Sequence, residues 1–158
     1  MTWKRFILKT AVLTTFLVVA ATYIFGFARV DGDYMKPAVK NGDNVILFRR
    51  EAPRVRDVVA YKDAEGQTRL GRVVAIGGEN VDIDDAGFSV NGIRPAEQVF
   101  WPTAHPENGI ELPYRVPEGA YFLLNDFRED TDDSRAFGAV DASGLIGKVV
   151  YVFRAGSI

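Results

Sequence analysis

Cysteine is absent from the 158 residues. The chain therefore has no disulfide framework, no thiol nucleophile and no Cys-rich zinc site. Histidine occurs once, as His105 between Ala104 and Pro106. Without a recognisable acid and nucleophile around it, it reads as a surface residue, and nothing in the chain implies a metal or cofactor. A positive excess is also lacking, since the formal net charge is −2. Positions 1–29 hold four basic and no acidic residues, so the rest keeps 15 of the 19 basic side chains against all 21 acidic ones, a net of −6. That balance argues against nucleic acid as a partner. No internal repeat or low-complexity segment is present, and after the N-terminal stretch no window of eleven residues carries a helical stripe.

The N-terminus holds an apolar run. Nineteen residues, Thr10–Ala28, carry no charge, about 28 Å as a helix at ~1.5 Å per residue, close to the hydrocarbon thickness of a bilayer. Lys4, Arg5 and Lys9 precede the run and Asp31 and Asp33 follow it, so the positive-inside rule places the N-terminus in the cytoplasm and residues 30–158 outside. The competing reading is a cleaved signal peptide, for which Val18-Val19-Ala20-Ala21 supplies small residues. The apolar stretch continues through Tyr23–Phe27, beyond the needs of an ordinary signal peptide, and favours an uncleaved anchor. The expected organisation is an anchor with its cytoplasmic stub (1–29) and one extracytoplasmic domain (30–158), which length alone permits.

Short apolar runs bounded by Gly, Pro, Asp and Asn predict a mostly β domain. The expected strands are Asn44–Phe48, Asp57–Tyr61, Thr68–Ile76, Asn80–Ile83, Phe88–Val90, Tyr121–Asn125 and Gly147–Phe153. Asn91-Gly92 is a hairpin signal, expected to pair Phe88–Val90, because both central positions of a type I′ turn need positive φ. Asp63–Gly66 closes another hairpin. Residues 97–118, with four prolines, read as an irregular excursion.

Three blocks carry a resemblance. Val30-Asp31-Gly32-Asp33-Tyr34-Met35-Lys36-Pro37-Ala38, just after the apolar run, resembles the Gly-x-Ser-Met-x-Pro motif of type I signal peptidases, with Tyr34 at the serine. Leu70-Gly71-Arg72-Val73-Val74-Ala75-Ile76-Gly77-Gly78-Glu79 is similar to their Lys-Arg-Val-x-Gly-x-Pro-Gly-Asp stretch, with Gly71 at the lysine. Asn125–Val140 resembles Gly-Asp-Asn-Arg-x-x-Ser-x-Asp-Ser-Arg-x-Phe-Gly-x-Val, with Asp126, Arg128, Asp133, Ser134, Arg135, Phe137, Gly138 and Val140 in register. The resemblance covers nearly the whole chain and departs from the family at both residues that carry the chemistry. It implies an antiparallel β fold lying on the membrane with a cleft for an extended peptide. Gly32, Met35, Pro37, Arg72 and Val73 belong to that cleft. The resemblance further implies that Asp133 and Arg135 pair near the lysine position and that Thr131 places a hydroxyl beside it, within a supporting scaffold that includes Asp126, Arg128 and Ser134.

Each residue also has a plainer reading. Met35 and Pro37 suit packing at a strand entrance. The alternating charges Asp126, Arg128, Asp133 and Arg135 suit a solvated loop held by ion pairs. Ser134 has no lysine or histidine in register and reads as a structural hydroxyl. Lys36, in an extended segment, points away from its neighbours into solvent. A serine–lysine dyad needs both a hydroxyl and a desolvated amine. Tyr34 offers a phenol with an unperturbed pKa of about 10, and Gly71 offers no side chain. The chain thus resembles the signal-peptidase-like pilus assembly proteins of Gram-positive bacteria, which implies a non-catalytic binding or chaperone-like task on an extended segment of a secreted or surface protein, with pilin or sortase machinery as partners. An active signal peptidase with atypical residues, or a purely structural membrane-anchored β protein, are the alternatives. The anchor reading predicts that the protein stays with the membrane fraction after an alkaline wash; a soluble secreted species beginning near Ala21 or Thr22 overturns it.

Overall fold

The computed structural model describes residues 2–84, 87–96 and 101–154. Helix α1 spans Thr2–Ile24, and from Trp3 onward it is long and apolar enough to cross a membrane. It starts earlier and stops earlier than the uncharged run suggests. Phe25–Arg29 leaves the helix and forms strand β1, because it pairs along its whole length with β2 (Asn44–Phe48), from Phe25↔Phe48 to Arg29↔Asn44. The small residues Gly26 and Ala28 face inward while Phe25, Phe27 and Arg29 face outward, a period of two that a helix does not accommodate. The helix has no basic residue in its last turn. The end of β2 supplies that charge: the Ile24 carbonyl accepts the Arg49 N–H at 2.9 Å, and the Arg50 guanidinium lies 3.4 Å from the Tyr23 ring centroid, beside the negative end of the helix dipole.

The remaining strands are β3 (Val58–Lys62), β4 (Thr68–Ile76), β5 (Asn80–Asp84), β6 (Gly87–Val90), β7 (Tyr114–Arg115), β8 (Ala120–Leu124), β9 (Val140–Asp141) and β10 (Leu145–Phe153). A seven-stranded sheet runs β1-β2-β10-β3-β4-β8-β9 and a three-stranded sheet β6-β5-β7. Every pairing is antiparallel, as expected of a mostly β fold. Asn44–Phe48 and Thr68–Ile76 form as the sequence predicts. The Asp63–Gly66 turn closes β3 on β4, with Gly66 at φ +77° and the Asp63 carboxylate accepting the Gln67 N–H at 2.7 Å. Asn91 and Gly92 take positive φ, 52° and 77°, and Val90 and Ile93 exchange two backbone bonds across them. That turn does not supply the main partner of β6, however, which pairs with β5 from Val81↔Val90 to Asp84↔Gly87.

Three apolar clusters form the core. Val30, Tyr34, Met35, Val39, Val45, Leu47, Ala60 and Leu70 pack together on one side of the large sheet. Val59, Tyr61, Val73 and Leu123 form a second cluster from the alternate residues of β3, β4 and β8. The third cluster joins β4 and β8 to β5 and β6 through Val74, Ala75, Val81, Phe88, Phe122 and Leu124. Beside α1 the sheet leaves an aromatic face open. Phe25, Phe27, Tyr151 and Phe153 are exposed, Phe27 to 79 %, and the registers set Phe25 beside Phe48, and Phe27 and Tyr151 on either side of Ile46.

Between β8 and β9 the chain turns through a short helix, α2 (Ser134–Phe137), capped by the Asp133 carboxylate. Asp133 and Arg135 pair, and in place of a solvated loop the pair is buried, with side chains 1 % and 0 % exposed. Arg135 donates through Nε and Nη2 to the two Asp133 oxygens at 2.8 and 2.6 Å. It also reaches the carbonyls of Ala104, Arg128 and Asp130 at 2.5–2.6 Å. Asp133 further accepts the N–H groups of Asn125 and Arg135. Every charged atom thus has a partner, which is what allows the pair to leave solvent. Removing one partner leaves the other charge uncompensated, so Asp133→Ala is expected to cost about 3–5 kcal/mol, measured by denaturant unfolding in detergent; a loss below about 1 kcal/mol would show that the loop stands without the pair.

Candidate functional site

Residues 32–39 follow β1 as a series of bends and turns, not as an extended segment. Gly32 sits at φ +104°, where an added Cβ comes 3.0 Å from the Tyr34 ring. The turn is tied internally by Lys36 N–H to the Asp33 carbonyl and Val39 N–H to the Met35 carbonyl. It is tied to the third sequence block by Phe127 N–H to the Tyr34 carbonyl at 2.9 Å. The turn also corrects the expectation for Lys36, whose amine lies 3.9 Å from the Phe127 ring centroid and 5.8 Å from that of Trp101. The curved backbone brings it onto an aromatic pair, where the ring quadrupole attracts it.

Tyr34 is 7 % exposed. Its hydroxyl accepts the Leu70 N–H at 3.3 Å, and the Arg69 guanidinium carbon lies 4.7 Å from its ring centroid. Arg69 is in turn paired with Asp132. Burial pushes the Tyr34 phenol up, against the opposing pull of the Leu70 N–H and Arg69 and with help from Asp31 and Asp130. The hydroxyl is therefore neutral at physiological pH.

Gly71, next to Leu70 on β4, faces the other way. It is paired with Val59, and a Cβ built on it lies 3.0 Å from the Leu123 Cβ and 3.4 Å from the Tyr61 ring. Tyr61 is paired with Arg69 in the same ladder and is 1 % exposed. Its hydroxyl has no hydrogen-bond partner among the described residues. Burial raises its pKa, with Arg69 opposing and Asp133, Asp132 and Tyr34 adding to the rise. Tyr61 and Arg69 were not singled out by sequence. Counting register back from the Asp63–Gly66 turn sets Val59 opposite Gly71 and Tyr61 opposite Arg69, a signal that was available.

The other candidate residues separate by burial. Met35 and Val73 are fully buried and Pro37 is exposed. Arg72 forms a two-pronged contact with Asp126, Nε–Oδ1 and Nη2–Oδ2 both 2.5 Å, and donates to the Arg56 carbonyl at 2.8 Å. Arg128 is buried with its guanidinium 5.1 Å from the Phe88 ring centroid. Ser134 Oγ accepts the Leu123 N–H at 2.9 Å, so it holds the strand that packs against Gly71. Thr131 is half-buried and His105 exposed. Among the described residues no group of three or more His, Asp or Glu side chains is placed to hold a metal.

The chemistry open to this arrangement is limited. The partner of the Tyr34 hydroxyl is a backbone amide, which cannot accept a proton. The cation at its ring is a guanidinium, which does not deprotonate in proteins. The backbone offers more. The pairing of β4 with β8 begins at Arg72↔Leu124, so Thr68–Gly71 runs past the end of β8, and among the described residues no strand lies on that side. Alternate residues of an antiparallel pair turn their N–H and C=O outward, and Leu70 turns its N–H to this open edge, where Tyr34 meets it.

The chain is similar to known proteins over most of its length. It is 25 % identical to signal peptidase IB of Staphylococcus aureus, over 94 % of this chain and 88 % of the relative. It is 26 % identical to a probable signal peptidase I-1 of Synechocystis, over 92 % and 76 % respectively. A crystal structure of a signal peptidase I from Enterococcus faecalis V583 matches 62 % of this chain and 97 % of its own, with a TM-score of 0.52 and 28 % identity. The family model for signal peptidase, peptidase S26, matches residues 3–154, and with the antiparallel sheets and the apolar N-terminal helix already described, the chain belongs to that family.

Proposed function

We propose that this protein is a membrane-anchored relative of the signal peptidases that holds an extended segment of a secreted or surface protein without cutting it. The observation that carries this reading is the pairing of Tyr34 and Gly71 at the positions matching the family's serine and lysine. Tyr34 brings a buried neutral phenol bonded to Leu70 N–H. Gly71 brings no amine, and the ground a side chain would take there is lined by Leu123 and Tyr61. A serine–lysine mechanism requires an aliphatic hydroxyl beside a neutral amine, and neither stands at these two positions. Binding has no such requirement. An extended segment adding to the edge of β4 at Thr68–Gly71 gains backbone hydrogen bonds without a nucleophile at position 34 or an amine at position 71.

The anchor supports a site of action at the membrane. Helix α1 passes into a sheet whose outer face carries Phe25, Phe27, Tyr151 and Phe153, residues suited to the boundary between hydrocarbon and water. Residues 30–158 then lie outside the cytoplasm, where secreted clients emerge. The similarity to signal-peptidase-like pilus assembly proteins makes pilin subunits, or the sortase machinery that joins them, the client class.

Two measurements test this. Purified protein in detergent is expected to leave a secretory preprotein uncut; cleavage by the unaltered protein that disappears in Tyr34→Phe overturns the reading in favour of a peptidase with an atypical nucleophile. Tyr34→Ser and Gly71→Lys are each expected to be inactive alone, since a hydroxyl without a base and a base without a hydroxyl are both idle. Together they are expected to give at most weak and strongly non-additive cleavage, because the new lysine must displace Leu123 and Tyr61. Turnover by either single variant contradicts the assignment of these two positions as one unit.

A further inference from the structure

We infer that the Tyr34 hydroxyl acts as an internal competitor for the peptide-binding edge, holding the Leu70 N–H until an incoming chain displaces it. This rests on the strand-addition reading of the proposed function and adds to it a residue that sets affinity. An unpaired strand edge is a template for any extended chain, and Leu70 presents its outward N–H on the stretch of β4 that lies beyond β8. That donor is already satisfied by a side chain, Tyr34 Oη at 3.3 Å. The competitor is itself held in place. Gly32 at φ +104° sets the turn against the ring, the Tyr34 carbonyl is bonded to Phe127 N–H, and Arg69, paired with Asp132, lies over the ring. The contact is long for a hydrogen bond to a hydroxyl, so an incoming backbone carbonyl at ordinary distance replaces it with a better one. Burial keeps the phenol neutral, so the competition is insensitive to pH in the physiological range.

A serine or phenylalanine at position 34 does not compete in this way. Tyr34→Phe keeps the ring in the apolar cluster and removes only the acceptor, leaving the Leu70 N–H unpaired in the free protein. An unpaired donor is costly, and an added strand relieves that cost in the variant alone. The probe is a fluorescent peptide spanning the Ala-x-Ala cleavage region of a secretory preprotein, titrated by anisotropy against the full-length protein in detergent micelles, with the Leu70 amide followed in parallel by hydrogen exchange. Tyr34→Phe is expected to bind about two- to tenfold more tightly, the range to which one hydrogen bond's net contribution converts. The Leu70 amide is expected to exchange faster in the free variant and to become protected when peptide is added. Equal affinity of the two proteins, even with a lowered melting temperature for the variant, overturns the competitor role and leaves the strand-addition site standing. Absence of peptide binding in both proteins removes the strand-addition reading itself, and the competitor with it.

Discussion

The buried pair of Asp133 and Arg135 is the constraint through which the separate parts of the site communicate. A guanidinium and a carboxylate leave water at a cost that mutual attraction alone does not repay, so each remaining hydrogen-bonding position has to be filled. Filling them organises the surroundings. Arg135 draws in the carbonyls of Ala104, Arg128 and Asp130, while Asp133 fixes the N–H of Asn125 at the end of β8. Phe127, inside that arc, is then positioned to bind the Tyr34 carbonyl, and Asp132, next in sequence to the buried acid, is positioned to hold Arg69. The buried pair thereby positions the residues that touch the edge of β4.

Around this scaffold the two faces of β4 have different fates. On the side of Leu70 a tyrosine fills the space and consumes a backbone donor; on the side of Gly71 a second tyrosine and a leucine close over a residue with no side chain. Neither position offers a group of the matched pKa that acid–base chemistry needs: one holds a buried neutral phenol and the other no side chain. Arg69 supplies no general base either, because its guanidinium stays protonated. It serves here as a lid on an aromatic ring.

Much of the sheet was legible because its strands carry their own boundaries. Thr68–Ile76 lies between the turn at Asp63–Gly66 and the Gly77-Gly78 pair, and Asn44–Phe48 between Asn41-Gly42 and a run of charges. Phe25–Arg29 was not legible. It continues an apolar run without a break, and only its pairing with a strand nearly twenty residues later decides that it is extended. The scaffold of the site was readable as three ordered blocks, but its burial was not. Alternating charges at close spacing suit a solvated loop until the carbonyls that satisfy Arg135 are known, and those come from as far away as Ala104. Lys36 was misjudged for a related reason: the direction of a side chain follows from backbone curvature, and the turn at 32–39 is held by partners in the third block. Tyr61 is the instructive case, since a hairpin register count from its own turn places it beside Gly71.

Helix α1 ends at Ile24 and β1 begins at Phe25 with no residue between them. A tethered module normally searches a volume set by its linker, a few ångströms for each residue of slack. Here there is no slack, and the strand that receives the anchor is bonded to β2 from its first residue. The height of the β4 edge above the end of the helix is a property of the fold, not an average over linker conformations. Under the proposed function a client presents its segment at that height, and the connection then acts as a ruler for how far the extended part stands from the apolar layer.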